Sequence, residues 1–250
     1  MFNPKLSVIT IVYNNVRHIE RTIQSVVNQT YTNIEYILVD GFSTDGTLEI
    51  VQQYTSQIET LISEKDKGIY DAMNKGLAAA TGDYVIFMNS GDEFYAPDTV
   101  TQVFATADDA DIYYGETEMI DDAGNSLGQR RHKAPKQFNW RHFKYGMSVS
   151  HQAIYIKRSL TQPYDRQYEL SADIDWILQA AKKAKKIVNV HRYVAKYLVG
   201  GMSKKKHRQS LTERFAIMRK HYGLVPTVFN HAVIAFNLGW YWMLNRRTND

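Results

Sequence analysis

Apolar positions along the first half of the chain alternate between two periods. Leu6-Ser7-Val8-Ile9-Thr10-Ile11-Val12-Tyr13 is short and β-branched, which predicts a central strand. Ile19, Ile23, Val26 and Val27 then recur at helical spacing and predict a crossover helix. Ile34 to Asp40 repeats the strand pattern, and after the loop Gly41 to Gly46 a helix continues through Leu48, Ile50 and Val51, with Thr44 or Asp45 placed to cap it. Thr60 to Ser63 is a weaker strand, and Tyr84 to Met88 a stronger one. Between them Ile69 to Ala80 forms a helix with Ile69, Met73, Leu77 and Ala80 along one face. Such alternation calls for an α/β fold, a parallel sheet covered by helices on both faces.

Beyond Asp92 the pattern loosens. Pro97-Asp98 opens a helix to about Ala107, Asp111 to Met119 has strand character, and Asp121 to Asn125 is a hairpin turn. Residues 130 to 150 mix bases, aromatics and Gly146 without a period, as loops around a site do. Trp140, His142, Phe143 and Tyr145 there fit a sugar-stacking platform and core packing equally well. A helix from Asp173 to Ala184 follows. From Pro226 an apolar, aromatic-rich helix runs to Arg246-Arg247, interrupted by Asn230, His231, Asn237 and Gly239. It is too short and polar to span a bilayer. The expectation is an amphipathic helix lying on a membrane surface, with docking onto the domain or a second subunit as the alternative.

Composition narrows the class. With 250 residues and 44% hydrophobic content, the chain can bury a large core as one domain or as one domain with a tail. The division expected is a domain over residues 1–223 and a helix over 224–250. The absence of cysteine excludes disulfides and thiolate metal sites and fits a reducing compartment. Met1 to Lys5 lead straight into a strand, with no secretion signal, so a cytoplasmic location is expected. The net charge of +4 is clumped at Arg130 to Lys133, Lys182 to Lys186 and Lys204 to Arg208. Such runs draw phosphates, anionic lipid or nucleic acid, and each is equally well a solvated surface.

The residues also exclude some chemistry. Where a dinucleotide fold has its glycine-rich turn, this chain has Tyr13-Asn14-Asn15-Val16-Arg17, and the P-loop pattern is absent too. The remaining way to hold a diphosphate is a divalent cation on a carboxylate with basic side chains nearby. Asp92, in Asn89-Ser90-Gly91-Asp92 beyond the Tyr84 strand, suits that role and equally that of a turn residue. Asp40, at another strand end, can accept hydrogen bonds from a base or ribose. Asp173 and Asp175 cannot share a helical face, so one faces a site and the other serves the helix N-terminus. His151 suits an acceptor or phosphate contact, or a structural histidine.

Four segments in order, Leu6 to Asn15, Val39 to Thr47, Asp66 to Gly76 and Met88 to Asp92, resemble the glycosyltransferase family 2 enzymes of bacterial surface polysaccharide synthesis, in the branch similar to colanic acid, capsule and O-antigen glycosyltransferases. The likeness is specific over residues 5 to 100 and continues more weakly through His151-Gln152, Ser171 to Asp173 and Gly200 to Ser203. It implies a GT-A fold with a mostly parallel nucleotide-binding sheet over residues 1–115 and an acceptor-side half over 116–223. It also implies sugar transfer with inversion from a nucleoside-diphosphate sugar, UDP favoured, to a saccharide acceptor that a polyprenyl diphosphate carries. Thr10, Asn14, Asp40, Asp66, Asn89, Ser90 and Gly91 would then line the donor pocket. Asp92 would hold Mn²⁺ or Mg²⁺, and Asp173 would be the catalytic base. His151, Lys204 and Lys205 would meet acceptor or phosphate. Many relatives carry more acids where this chain has Asn89 and Gly91, so donor binding is implied more firmly than metal binding. The expected place is the inner face of the plasma membrane, as a peripheral protein, and a homodimer is compatible. The rival readings are a sugar-phosphate nucleotidyltransferase and a basic module gripping RNA or anionic membrane. The first lacks its glycine-rich loop here, and no nucleic-acid motif accompanies the lysine runs.

Overall fold

The computed structural model describes residues 2–130, 133–145, 149–200 and 206–245, the side chains of residues 142, 145, 207 and 235–245 excepted. Strand β1 (Leu6–Val12) is buried at every position and lies inside the sheet. Strands β2 (Ile34–Asp40) and β3 (Thr60–Ser63) pair outward from it in parallel, and β4 (Tyr84–Phe87) pairs in parallel on its other side. Because strand side chains alternate between faces, each strand feeds two cores. Ile9, Ile11, Val39 and Phe87 meet helices α3 (Ile69–Ala79) and α5 (Ala172–Lys183) on one face. Val8, Val12, Leu38 and Ile86 meet α1 (Ile19–Val27), α2 (Thr47–Gln52) and α4 (Thr99–Ala105) on the other.

Two close fits fix this layering. A Cβ at Gly76 would overlap Ile9, so only glycine lets α3 sit this near β1. At the amino end of the sheet the buried Glu35 carboxylate accepts from Lys5 Nζ at 2.8 Å, from the Thr81 amide at 2.7 Å and from the Ser7 and Thr81 hydroxyls. Burial alone would raise its pKa, but these bonds outweigh it and hold the carboxyl at about 2. The tie joins β1, β2 and the turn before β4 at the end away from Asp40.

The sheet is mixed, where a mostly parallel one was expected. Its nine described strands run in the order β3-β2-β1-β4-β8-β6-β9-β5, with β7 paired to β6. Strands β5 (Glu93–Phe94), β7 (Ser126–Gln129) and β8 (Ile154–Lys157) lie antiparallel to their neighbours, while β6 (Ile112–Ile120) and β9 (Ile187–Leu198) are parallel to each other. After β4 the chain returns partly through tight turns such as Asp121 to Asn125, and antiparallel pairing needs no crossover helix. Helix α6 (His207–Tyr222) and helix α7 (Leu224–Asn245) complete the described chain. Among the described residues no helix is long and apolar enough to cross a membrane.

Candidate active site

The sheet switches direction between β1 and β4, because β2 and β3 build to one side of β1 and β4 to the other. Ligands of open α/β sheets bind in the crevice beyond the strand ends at such a point. Here Tyr13 to Asn15 leave β1 opposite the turn that follows β4. Asn14 takes a left-handed φ of 47°, which asparagine tolerates, and its Oδ1 accepts the Thr44 amide at 2.8 Å. Ser43 Oγ accepts the Asn14 amide at 2.9 Å. Asn15 Nδ2 crosses the crevice to the Ser90 hydroxyl at 2.9 Å. Gly46, at φ 94°, takes the cap position of α2 in place of the expected Thr44 or Asp45, and Asp45 accepts from the Thr47 amide at 3.1 Å.

At one end of the crevice Asp40 is fully buried. Its carboxylate accepts from Ser63 Oγ at 2.8 Å and from the Ser43 amide at 3.2 Å, which fixes the loop beyond β2. Asp66 lies directly against Gly41, where a Cβ would overlap its carboxylate, and Tyr13 stands beside them with 65% of its surface exposed. Two acids, a bare backbone and an open aromatic face thus converge. Thr10 lies beneath this surface rather than on it. It is fully buried, donating to the Met88 carbonyl at 2.8 Å and accepting from Tyr36 at 3.1 Å.

The middle of the crevice is the turn Asn89 to Asp92, closed by the Asp92 amide on the Asn89 carbonyl at 2.9 Å. Gly91 takes the positive φ of 103° that such a turn requires, and a Cβ there would press on Leu198. Asp92 is buried, and its two oxygens accept from Gln152 Nε2 at 2.8 Å and the Leu198 amide at 3.1 Å. Burial pushes its carboxyl up to about 7; those two bonds pull against the rise and Glu93 adds to it. Among the described residues no group of three His, Cys, Asp or Glu side chains could hold a metal. Even so, Asn89 Oδ1 is buried with no partner. One carboxylate and one unpaired amide oxygen fit a Mg²⁺-type ion, which takes the rest of its shell from substrate phosphates and water.

The other end is built around Asp173, in the first turn of α5. It is half-buried, and Tyr70 donates to its Oδ1 at 3.1 Å. Asp175 points away. It is buried and accepts from His221 at 2.6 Å, Lys220 at 3.0 Å and Gln179 at 2.6 Å, tying α5 to the end of α6. Burial would raise its pKa, but His221 and Lys220 outweigh that and lower it. His151 is buried too, stacked on Phe87 at 5.2 Å with Nε2 3.0 Å from the Tyr164 hydroxyl, so it supports the site from below. Arg130 donates to Ser150 at 2.7 Å and lies within electrostatic reach of Asp173; burial lowers its pKa, and Tyr197 and Asp173 oppose that.

A cavity of about 460 Å³ opens beside Tyr70, walled by Lys67, Asp71, Arg166, Glu169 and Lys206 among others. Lys204 and Lys205 lie outside the described residues, as do Gly201 to Ser203. Of the four aromatics read as a platform or as core, Trp140 and Phe143 pack as core: Trp140 stacks on Tyr222 at 5.5 Å and Phe143 is fully buried, while the side chains of His142 and Tyr145 lie outside those described. Pattern reading missed Gln152, Tyr164 and Tyr70 as members of the site. Gln152 and Tyr70 had position alone as a signal, next to His151 and inside the Asp66 to Gly76 segment, and Tyr164 had none.

The fold and this crevice define an α/β enzyme with its acidic groups gathered beyond the carboxyl ends of β1, β2 and β4. The chain belongs to glycosyl transferase family 2, whose profile matches residues 7–162. It is 36% identical over 187 residues to an uncharacterised glycosyltransferase of Mycobacterium tuberculosis, covering 71% of this chain and 69% of that one. It is also 31% identical over 214 residues to the PGL/p-HBAD biosynthesis glycosyltransferase of Mycobacterium bovis, covering 81% and 80%. In fold it is similar to Staphylococcus aureus TarS 1-349 in complex with UDP, with a TM-score of 0.69, 20% identity and coverage of 98% and 73%. A mannosyltransferase of Pyrobaculum calidifontis in complex with GDP-Man and Mn²⁺ follows at TM-score 0.63, 21% identity and the same coverage. These relatives carry the family rather than the narrower colanic acid or O-antigen branch. Family membership sets aside the nucleotidyltransferase and the RNA-binding module.

Proposed function

We propose that the protein has the GT-A fold and transfers a sugar, with inversion, from a nucleoside-diphosphate sugar to a hydroxyl of a saccharide carried on a lipid. One observation carries this reading, an unbroken series of contacts through the site. Asp66 and Asp40 lead through Asn14 and Asn15 to Ser90 and Asp92, and Gln152, His151, Tyr164 and Tyr70 lead on to Asp173. Residues 1–115 would bind the donor and residues 116–223 the acceptor. Asp40, Asp66 and Tyr13 take the base and ribose, and Asn14, Asn89, Ser90 and Gly91 shape the diphosphate pocket. Asp92 and Asn89 Oδ1 are the residues that would hold Mn²⁺ or Mg²⁺, which when bound supplies positive charge to the diphosphate. Arg130 and Lys206 add cations from the acceptor side.

Asp173 accepts the proton of the acceptor hydroxyl as that oxygen forms its bond to the anomeric carbon. The bond to the diphosphate breaks on the opposite face, so the configuration inverts. The relatives' bound UDP and GDP-Man support a nucleotide-sugar donor. A thermal-shift panel of UDP-glucose, UDP-N-acetylglucosamine, UDP-galactose and GDP-mannose, each with and without Mn²⁺, tests it. At least one is expected to raise Tm by several degrees, following mass action. No shift with any of them removes the donor reading.

Helix α7 supports a membrane contact, the peripheral placement expected from its sequence. It docks by polar residues, Thr227 at 1% and Asn230 at 7% exposure, and leaves Val225 at 79% and Phe229 at 66% exposed. Apolar side chains on the outer face of a docked helix mark an interaction surface. The protein is expected to float with vesicles containing anionic lipid, and V225S/F229S to stay in solution. Dimerisation lost in V225S/F229S, without any vesicle binding, would assign the patch to a second copy.

A further inference from the structure

Tyr70 belongs to the Asp66 to Gly76 segment but stands in the first turn of α3, and it is 6% exposed. Its ring lies in a stack that leaves it no freedom to swing. Tyr70 faces Tyr164 at 5.3 Å and 25°, and Tyr164 faces Trp176 at 5.0 Å and 14°. Trp176 comes from α5, one turn beyond Asp173, and its Nε1 donates to the Gln162 carbonyl at 2.8 Å. Tyr164 is held at both ends. Asn74 on α3 clasps its backbone, donating to its carbonyl at 3.0 Å and accepting its amide at 2.6 Å, while its hydroxyl meets His151. The stack therefore locks α3 to α5 at a fixed distance and aims the Tyr70 hydroxyl at one oxygen of Asp173.

We propose that Tyr70 is the positioning residue for Asp173: its hydroxyl occupies Oδ1 and leaves Oδ2 to meet the acceptor hydroxyl. A base held in place by a third group is a recurring arrangement, because misplacement by about 1 Å costs on the order of a hundredfold in rate. Tyr70 suits the task at any working pH. Burial, with the Asp173 charge beside it, raises its pKa well above the usual value, so it remains a neutral donor. Among the described residues, the other titratable or charged groups at this corner include Tyr164, His151, Arg130 and Glu213, with Lys67, Asp71, Arg166, Glu169 and Lys206 around the cavity beside it. The inference rests on Asp173 being the base, and it extends the role of the Asp66 to Gly76 segment from the donor end of the crevice to the reacting end.

Tyr70→Phe keeps the ring stack and removes only the hydroxyl. With whichever nucleotide sugar of the panel shifts Tm, hydrolysis by water serves as the assay. A kcat fall of about 10- to 100-fold is expected, with the donor KM within about twofold. The ¹³Cγ signal of Asp173 gives a reading that needs no turnover. At fixed pH that signal is expected to shift in Tyr70→Phe, because the hydrogen bond to Oδ1 is lost. Tyr164→Phe, which loses only the His151 contact, is expected to lower Tm and leave the Asp173 signal in place. An unmoved signal in Tyr70→Phe overturns the proposal, and so does unchanged kcat where hydrolysis is measurable. If the unsubstituted protein hydrolyses no donor, the Asp173 signal alone decides the role of Tyr70, and the thermal-shift panel still decides the donor reading.

Discussion

Asp173→Asn is expected to lower sugar transfer by about a thousandfold or more while donor affinity stays within about twofold. The substitution is nearly isosteric. Asparagine Oδ1 still accepts from Tyr70, so the α3 to α5 geometry survives, and only the capacity to take a proton is lost. Asp40, Asp66 and the Asn89 to Asp92 turn make no contact that the change removes, which is why binding is spared. Asp175→Asn is the contrast. It weakens bonds to His221, Lys220 and Gln179 at a buried position, so the loss should appear as a lower Tm. Initial rates and donor titrations on both variants separate the roles. Turnover retained in Asp173→Asn would place the base elsewhere.

Asp92→Asn is expected to gain stability and lose activity together. In metal-free buffer the native carboxyl holds its proton up to about pH 7, whereas the unfolded chain releases it near 3.8. Between those values the native state binds more protons than the unfolded one, so stability falls as pH rises from about 4 to about 7 and then levels. Asparagine has no such proton, its carbonyl can keep the Leu198 amide, and Gln152 can turn its amide to match. The variant should therefore lack the Asp92 contribution to the pH dependence across that window, and at pH 7.5 its unfolding free energy should exceed the parent's by roughly 2–4 kcal/mol. Transfer should fall by about a hundredfold or more, and any Tm shift from Mn²⁺ with a nucleoside diphosphate should vanish. Denaturant melts at pH 5 and 7.5 check the first expectation. A variant less stable at pH 7.5 than its parent would show that Asp92 is held as an anion.

The first half of the chain was legible because its signals are local. The short β-branched runs at Leu6 to Val12 and Ile34 to Asp40 each flank a periodic helix, and strand, helix and loop fell where period and turn residues placed them. Strand β9 escaped for a physical reason. Its Asn189, His191, Arg192 and Lys196 break the alternation, and His191 at φ 52° marks an irregularity where its register against β6 slips. Helix α6 likewise carries charge around most of its circumference, and its few buried residues, such as Ile217 and Met218, are too sparse to make a stripe. The site divided in the same way. Asp40, Asp92 and Asp173 were visible as acids at element ends, whereas Tyr70 and Gln152 gained meaning only from partners 103 and 60 residues away. The choice between Asp173 and Asp175 was a matter of helix rotation, which spacing limits and packing decides.

The Asp92 carboxylate takes its two hydrogen bonds from residue 152 and from the amide of residue 198. The matched family region ends at residue 162, before the second donor has been synthesised. A chain emerging from the ribosome can therefore form β1 to β4 early, but it cannot complete the setting of Asp92 until β9 has threaded between β6 and β5. The bonds that hold Asp92 thus form late in synthesis, as a mark that nearly the whole chain has been made and correctly placed.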